Sequence, residues 1–301
     1  MALGMLVNGK WTVDWTEHDK EGNFKRMTTQ FRNTIRNITP EDKGRYILYV
    51  SYACPWAHRT IMTREYLKLA DFIDLIVVEP HVSEKGWYFS ESFPEHKYHL
   101  NFLQELYLKN DDKYTGRVTV PVLWDSKEEK IINNESLEII KMFDDVFRKN
   151  ISPEIAPIFE QDSLSQIEEY ISYYYENINN ACYRTGFAKS QEVYNKEVTS
   201  LFKELEQLDK ELSQKKYLMG DNLSAADICL LPTLLRFDVA YHGIFKCNIK
   251  RLKDFEFIQK YIERMLETNE IAKTYKPDQI KNLYYKIVEL NPSGIVPLGQ
   301  A

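Results

Sequence analysis

Apolar and polar positions change rhythm midway along the chain. In the front half, short apolar runs alternate with helical spacing. The first run, Arg45-Tyr46-Ile47-Leu48-Tyr49-Val50-Ser51-Tyr52, is rich in β-branched and aromatic residues and predicts a buried strand. Cys54-Pro55-Trp56-Ala57 follows at once. Proline suits the first turn of a helix, where its missing N–H costs nothing, and Ile61, Met62 and Leu67 carry that helix to about Leu69. Ile73 to Val78 predicts a second strand. A long connection with Gly86-Trp87 and Phe93-Pro94 leads to a helix near His99 to Leu108. Thr119 to Trp124 and Lys130 to Asn133 give two further strands, and Glu135 to Phe147 a closing helix. That order describes a small mixed sheet with helices on both faces. Pro121 cannot donate to a sheet ladder, and a cis bond at the strand's start is one way to tolerate it.

From about Ser163 to Leu290 the spacing is helical and strand signals are few. Leu201, Leu205, Leu208 and Leu212 form one stripe, and Ser224-Ala225-Ala226-Asp227 is a capping-box pattern before the apolar run Ile228 to Leu235. Residues 149–162, with Pro153 and Pro157, read as a linker. Residues 1–43 read as an irregular, extended leader that packs on the body, with Trp11, Trp15, Phe24 and Phe31 scattered through it and Asn8-Gly9 as a turn signal. The tail, Asn291 to Pro297, cannot be helical and is too apolar to be merely solvated, so it is expected to dock. The expected domains are thus the leader (1–43), an α/β domain (44–150) and an all-helical domain with a docked tail (151–301).

The totals bound the chemistry. The 301 residues suit two domains. Lysine and arginine number 39 against 45 acids, a net charge of −6, which gives no reason to expect nucleic acid or an anionic membrane as partner. No apolar run approaches the ~20 residues of a membrane helix, and the first fifteen residues do not read as a secretion signal. Cys54, Cys182, Cys229 and Cys247 lack paired metal spacing, so reduced thiols in a cytoplasm and no metal are expected. Tyrosine is abundant, with 20 copies. Such a surplus serves half-buried packing, or lines a pocket with hydroxyls.

Cys54 stands between a strand and a helix start. The positive end of the helix dipole stabilises a thiolate there and lowers the thiol pKa below ~8.5. A protein that closes its own disulfide would carry a second cysteine three residues on, but that place holds Ala57. Such a thiol forms a mixed disulfide with a small thiol and needs a second small thiol for release. The competing reading is a buried structural cysteine. For Cys182, Cys229 and Cys247 the structural reading is preferred, and His58 reads as a packing histidine.

Glu135-Ser136 opens the helix after the fourth strand. N–H groups and a hydroxyl at a helix start make an anion site, and the glutamate can accept from an ammonium. Together they suit the γ-glutamyl end of glutathione. An ordinary helix cap explains the same residues.

Taken together, Tyr52-Ala53-Cys54-Pro55-Trp56-Ala57-His58-Arg59, Thr119 to Asp125 and Asn134-Glu135-Ser136 resemble the glutathione transferases. More narrowly, Tyr183-Arg184-Thr185-Gly186-Phe187-Ala188, Arg236-Phe237-Asp238, Phe245-Lys246-Cys247-Asn248 and Tyr284-Tyr285 resemble the Xi class, the glutathionyl-hydroquinone reductases. The resemblance implies an α/β thioredoxin-like N-terminal domain followed by an all-α glutathione-transferase C-terminal domain. It implies reductive deglutathionylation of glutathionyl-hydroquinones through Cys54, with glutathione as co-substrate and a homodimer. Trp87, Arg117 and the backbone of Val118 would hold glutathione, with Glu135 and Ser136 on its γ-glutamyl end. Tyr183, with Tyr284 or Tyr285, would bond the hydroquinone, and Tyr183 and Tyr285 would join Cys54 in catalysis. Leu283 and Ile287-Val288 depart from the family's usual histidine before, and serine-histidine after, the tyrosine pair. Two other readings stand beside this one: an omega-like thioltransferase or dehydroascorbate reductase, and a non-catalytic transferase-like binding module.

Overall fold

The computed structural model describes residues 4–13 and 28–299, which form two compact units meeting in sequence at Ala156 and Pro157. Trp15 and Phe24 of the leader lie outside the described residues.

The first unit is built on a four-stranded sheet. Its strands are β3 (Tyr46–Val50), β4 (Ile73–Val77), β6 (Val122–Asp125) and β7 (Lys130–Asn133), in the order β4-β3-β6-β7. β3 runs parallel to β4 and antiparallel to β6, and β7 is antiparallel to β6. Every residue of β3 is buried, as a central strand with an unbroken apolar run requires. Helix α1 (Pro55–Tyr66) follows β3 with Pro55 in its first turn, and it packs on α3 (Ser136–Met142). Helix α2 (Leu103–Asn110) packs on β7. The Arg45 guanidinium grips Asp125 at 2.8 and 2.5 Å and Asp42 at 2.8 Å, closing the end of the sheet.

Several boundaries differ from the sequence reading. The leader is not irregular throughout. It holds a hairpin, β1 (Met5–Val7) and β2 (Lys10–Thr12), turned at Asn8 and Gly9, both with positive φ. Asn-Gly is the pair that tolerates such a turn. β1 also pairs with a two-residue strand, β5 (Gly116–Arg117). The strand expected from Thr119 joins the sheet only at Val122, and the Val120–Pro121 bond is cis. The helix expected near His99 starts four residues later, because His99 adopts a left-handed φ.

The second unit is helical. Its helices are α5 (Leu164–Tyr174), α6 (Asn180–Gly186), α7 (Gln191–Leu212), α8 (Ala225–Arg236), α9 (His242–Ile244), α10 (Glu256–Glu267), α11 (Asn269–Ala272) and α12 (Pro277–Tyr284); the three-residue α4 (Lys149–Ile151) ends the first unit. The leucine stripe of α7 is buried at all four positions, worth about 1.5–3 kcal/mol per side chain in area removed from water. Ser224 and Asp227 form the reciprocal cap of α8. Asp227 also accepts from Leu218 N–H and the Tyr261 hydroxyl, so this buried carboxyl ties three segments together. π-helical turns, Tyr175–Asn179 and Phe237–Tyr241, precede α6 and α9. The tail is non-helical. Lys281 Nζ donates to the carbonyls of Pro297 and Gly299, and Asn291 Nδ2 to those of Tyr285 and Ile295, while the Ile295 and Leu298 side chains stay exposed.

Candidate functional site

In the first unit the site begins at the turn from β3 to α1. Ser51 accepts from the Cys54 N–H, and Cys54 then caps α1 in an extended conformation, its carbonyl taking the His58 N–H at 2.9 Å. The thiol faces the Val120 carbonyl at 3.7 Å, the last residue before the cis bond. Cys54 is 8% exposed, and Cys182, Cys229 and Cys247 are more deeply buried still. Ala57, one turn on, is fully buried, and so is His58. Arg59 lies over the Trp56 ring at 4.6 Å.

A polar hub joins this turn to the start of α3. The buried Tyr107 hydroxyl donates to the Thr119 carbonyl at 2.9 Å and accepts from Asn134 Nδ2 at 3.2 Å. Val118 to Val120 are thereby fixed beside residue 134, and Glu135 and Ser136 follow in chain. Glu135 caps α3, taking the Leu137 N–H at 3.4 Å and the Ser136 hydroxyl at 3.5 Å on Oε1, and the Thr29 hydroxyl at 3.1 Å on Oε2. Its own N–H is held by Asn133 Oδ1 at 2.7 Å. Ser136 and Val118 are buried and Glu135 half-buried.

Trp87 and Arg117 come from the connecting segments. Trp87 is buried, its carbonyl accepting from Leu103 N–H at 2.9 Å. Gly86 before it has φ of +86°, and the Trp11 ring lies where a Cβ would stand. Arg117 pairs with Met5 across β5 and β1.

The second unit holds a tyrosine cluster. The Tyr183 hydroxyl, on α6, is 2.6 Å from that of Tyr284, at the end of α12, and Tyr284 is 3.0 Å from Tyr241. Phe245 stacks on Tyr241 at 5.0 Å and stands edge-on to Tyr284 at 5.4 Å. Burial pushes the Tyr284 and Tyr241 hydroxyls well above the usual phenol range; Tyr183 adds to this at both, and Tyr284 adds to it at Tyr241, whereas the hydrogen bond with Tyr241 opposes it at Tyr284. The buried Arg236 guanidinium opposes the shift at both.

The structure brings Tyr183 to Tyr284 and not to Tyr285. Successive helical residues point about 100° apart. Tyr285 instead faces Gly243 and lines a separate open cleft of about 390 Å³ with Ile244, Asn291, Ile295 and Pro297. Tyr241, absent from the sequence reading, completes the cluster. It stands four residues before Phe245, but it lies in the π-helical turn Phe237–Tyr241, which leaves no regular helical spacing to mark it. Thr29 and Tyr107 were likewise missed, because their partners lie far away in sequence. Among the described residues no group of three or more histidine, cysteine or acidic side chains is arranged to hold a metal, and no helix is long and apolar enough to cross a membrane.

Comparison with known proteins matches this architecture. Residues 53–146 match the glutathione S-transferase N-terminal domain and residues 167–269 the C-terminal domain. The chain is 38% identical to the glutathionyl-hydroquinone reductase YqjG of Escherichia coli, covering 99% of this chain and 95% of that protein. It is 36% identical to the glutathionyl-hydroquinone reductase PcpF of Sphingobium chlorophenolicum, covering 99% and 97%. Among solved structures, the Xi-class transferase of Natrialba magadii superposes with a TM-score of 0.91 at 38% identity, over 100% of this chain and 94% of that one. The glutathione-bound structure of YqjG gives 0.86 at 38%, over 99% and 96%. With a thioredoxin-like first domain, a helical second domain and relatives of this closeness over its whole length, the chain belongs to the Xi class of glutathione transferases, the glutathionyl-hydroquinone reductase family.

Proposed function

We propose that the protein removes glutathione from glutathionyl-hydroquinones, giving the hydroquinone and oxidised glutathione. The observation that carries this is Cys54 at the cap of α1 with Ala57, not a second thiol, one turn on. Helix-start N–H groups favour the thiolate. The thiolate attacks the sulfur of the glutathionyl group, forming a Cys54–glutathione disulfide and breaking the carbon–sulfur bond. The electron pair stays with the ring carbon, which takes a proton. A second glutathione thiolate attacks the mixed disulfide, restores Cys54 and leaves as oxidised glutathione.

In this reading glutathione is held by Trp87, Arg117 and the Val118 backbone, with its γ-glutamyl end on Glu135 and Ser136. Tyr183 and Tyr284 bond the hydroquinone hydroxyls and supply the proton, as general acids. Tyr284 replaces the expected Tyr285 beside Tyr183, because the Tyr284 hydroxyl shares a hydrogen bond with that of Tyr183. The named activities of the E. coli and Sphingobium relatives support the substrate class. The need for reduced glutathione makes the cytoplasm the proposed compartment, and a homodimer is the proposed assembly.

The test is release of the parent hydroquinone from a glutathionyl-hydroquinone in the presence of glutathione, followed by chromatography. Turnover on dehydroascorbate or a simple mixed disulfide, with none on the hydroquinone conjugate, would favour the omega-like reading. Inertness towards all three would favour a binding module.

A further inference from the structure

The chain ahead of the sheet touches each segment assigned above to glutathione. β1 sets Met5 opposite Arg117 and Leu6 opposite Gly116. The Trp11 indole N–H donates to the Glu84 carbonyl at 2.8 Å, and its ring covers Gly86, immediately before Trp87. Gln30 Nε2 donates to the Thr115 carbonyl at 3.0 Å, two residues before Arg117. Further on, Phe31 and Asn134 exchange two hydrogen bonds, Asn134 N–H donating to the Phe31 carbonyl at 3.1 Å and Phe31 N–H to Asn134 Oδ1 at 3.2 Å. Beside them the Thr29 hydroxyl donates to Glu135 Oε2.

We propose that this leader is a wall of the glutathione site and that Thr29 is a positioning residue, holding the Glu135 carboxylate in the orientation that receives the γ-glutamyl ammonium. The inference rests on the reading of Glu135 as the ammonium acceptor. A carboxylate has about four lone-pair directions. Ser136 and Leu137 occupy Oε1, and among the described residues the hydrogen bond that holds Oε2 from the leader side comes from Thr29. A glutamate side chain is among the costlier to immobilise. Holding it in the unliganded enzyme removes that cost from binding, which is preorganisation. A hydrogen bond to an ionised acceptor is also among the stronger kinds. Contacts between Thr29 and Glu135 span 106 positions of sequence, so the site is completed by a segment that lies outside the thioredoxin-like core.

The experiment is calorimetry of glutathione binding to Cys54→Ser enzyme, in which no mixed disulfide forms, with a glutathione analogue lacking the γ-glutamyl amino group as second ligand. Thr29→Val keeps the side-chain shape and removes the hydroxyl. It should weaken glutathione by about tenfold, the scale of a hydrogen bond to a charged group. It should leave the desamino analogue within about twofold of its parent affinity, and Thr29→Ser should restore glutathione binding. Equal affinity for glutathione with and without the hydroxyl would overturn the proposal. So would equal weakening of the two ligands, which would mark a merely structural threonine. Failure of the Cys54→Ser parent to bind glutathione at all would overturn the site reading together with the proposal.

Discussion

The hydroxyls of Tyr183 and Tyr284 lie 2.6 Å apart, and the Tyr284 hydroxyl also meets that of Tyr241 at 3.0 Å. Three phenols in a chain have more donors and acceptors than they use among themselves. Tyr183 is the half-buried member of the chain, and Tyr284 and Tyr241 are buried. Tyr284→Phe should lower turnover on a glutathionyl-hydroquinone by about 10²–10⁴-fold, the usual contribution of a general acid. Tyr285→Phe should stay within about threefold of wild type, because Tyr285 lines the other cleft. Reduction of a simple mixed disulfide should survive both changes, since a thiolate leaves without that proton. Steady-state kinetics on both substrates checks this, and a larger loss in Tyr285→Phe would return the assignment to Tyr285.

The same cluster fixes a pH dependence. Burial raises Tyr284 and Tyr241 well above the ordinary phenol value near 10, so both stay protonated through neutral and mildly alkaline solution. The first-turnover rate on a glutathionyl-hydroquinone, measured without free glutathione, should rise as Cys54 ionises and then stay level to about pH 10. A fall with a midpoint between pH 7 and 9 would show a proton donor other than these tyrosines. The linkage to stability has a definite sign. A group whose folded pKa is raised stabilises fully below its unfolded value, so this contribution is lost as pH rises from about 10 upward.

Local signals in the sequence carried the parts of the fold that depend on local chemistry. Pro55 after an apolar run marked the β3–α1 turn and placed Cys54 at the cap. Pro121 marked an irregular strand entry, and the bond before it is cis. The leucines of α7 are buried as their spacing required. Features set by distant partners were not legible. β5 is two residues long, too short for any periodicity, and exists because β1 pairs with it. Tyr241 lies in the π-helical turn Phe237–Tyr241, where a widened turn shifts the phase that helical spacing would assign. Adjacent tyrosines 284 and 285 are chemically identical in sequence, and only the end of α12 decides which one meets Tyr183.

Gly186 explains how the cluster keeps its packing. A Cβ there would stand 2.3 Å from Phe245 Cγ and 2.7 Å from Phe245 Cβ, so the ring that stacks on Tyr241 would have to move. Gly186→Ala should destabilise the protein by about 1–3 kcal/mol, as overpacking does, and lower turnover on the hydroquinone conjugate. The rate of Cys54 alkylation should not change, because that thiol belongs to the other unit. Gly243→Ala is the comparison. There the obstructing atom is the Tyr285 hydroxyl, the far end of a side chain beside an open cleft, so the cost should be smaller. Urea melts of the two variants, with alkylation rates, decide the point; equal midpoints for both variants would reject the packing account.

Cys54 carries the sharpest expectation. It caps α1, whereas the Cys247 thiol is pushed well above its usual value by burial first and by Cys182 beside it. Only a thiolate alkylates. Iodoacetamide at pH 6 should therefore label Cys54 well before Cys182, Cys229 or Cys247, and the modified enzyme should be inactive. Cys54→Ser should lose glutathione release altogether, since sulfur exchange needs sulfur, yet still bind glutathione, because the tripeptide is held by Trp87, Arg117, Val118, Glu135 and Ser136 in the proposed site. Wild-type enzyme given a glutathionyl-hydroquinone without free thiol should release one hydroquinone per Cys54 and stop with one glutathione attached, which mass spectrometry of the intact protein reads directly. Ala57 is the reason for the stop, as no neighbouring thiol is placed one turn away to expel that glutathione. Repeated turnover without added thiol, or release by Cys54→Ser, would remove Cys54 from the nucleophile's role and leave a hydroxyl-based transferase as the reading to pursue.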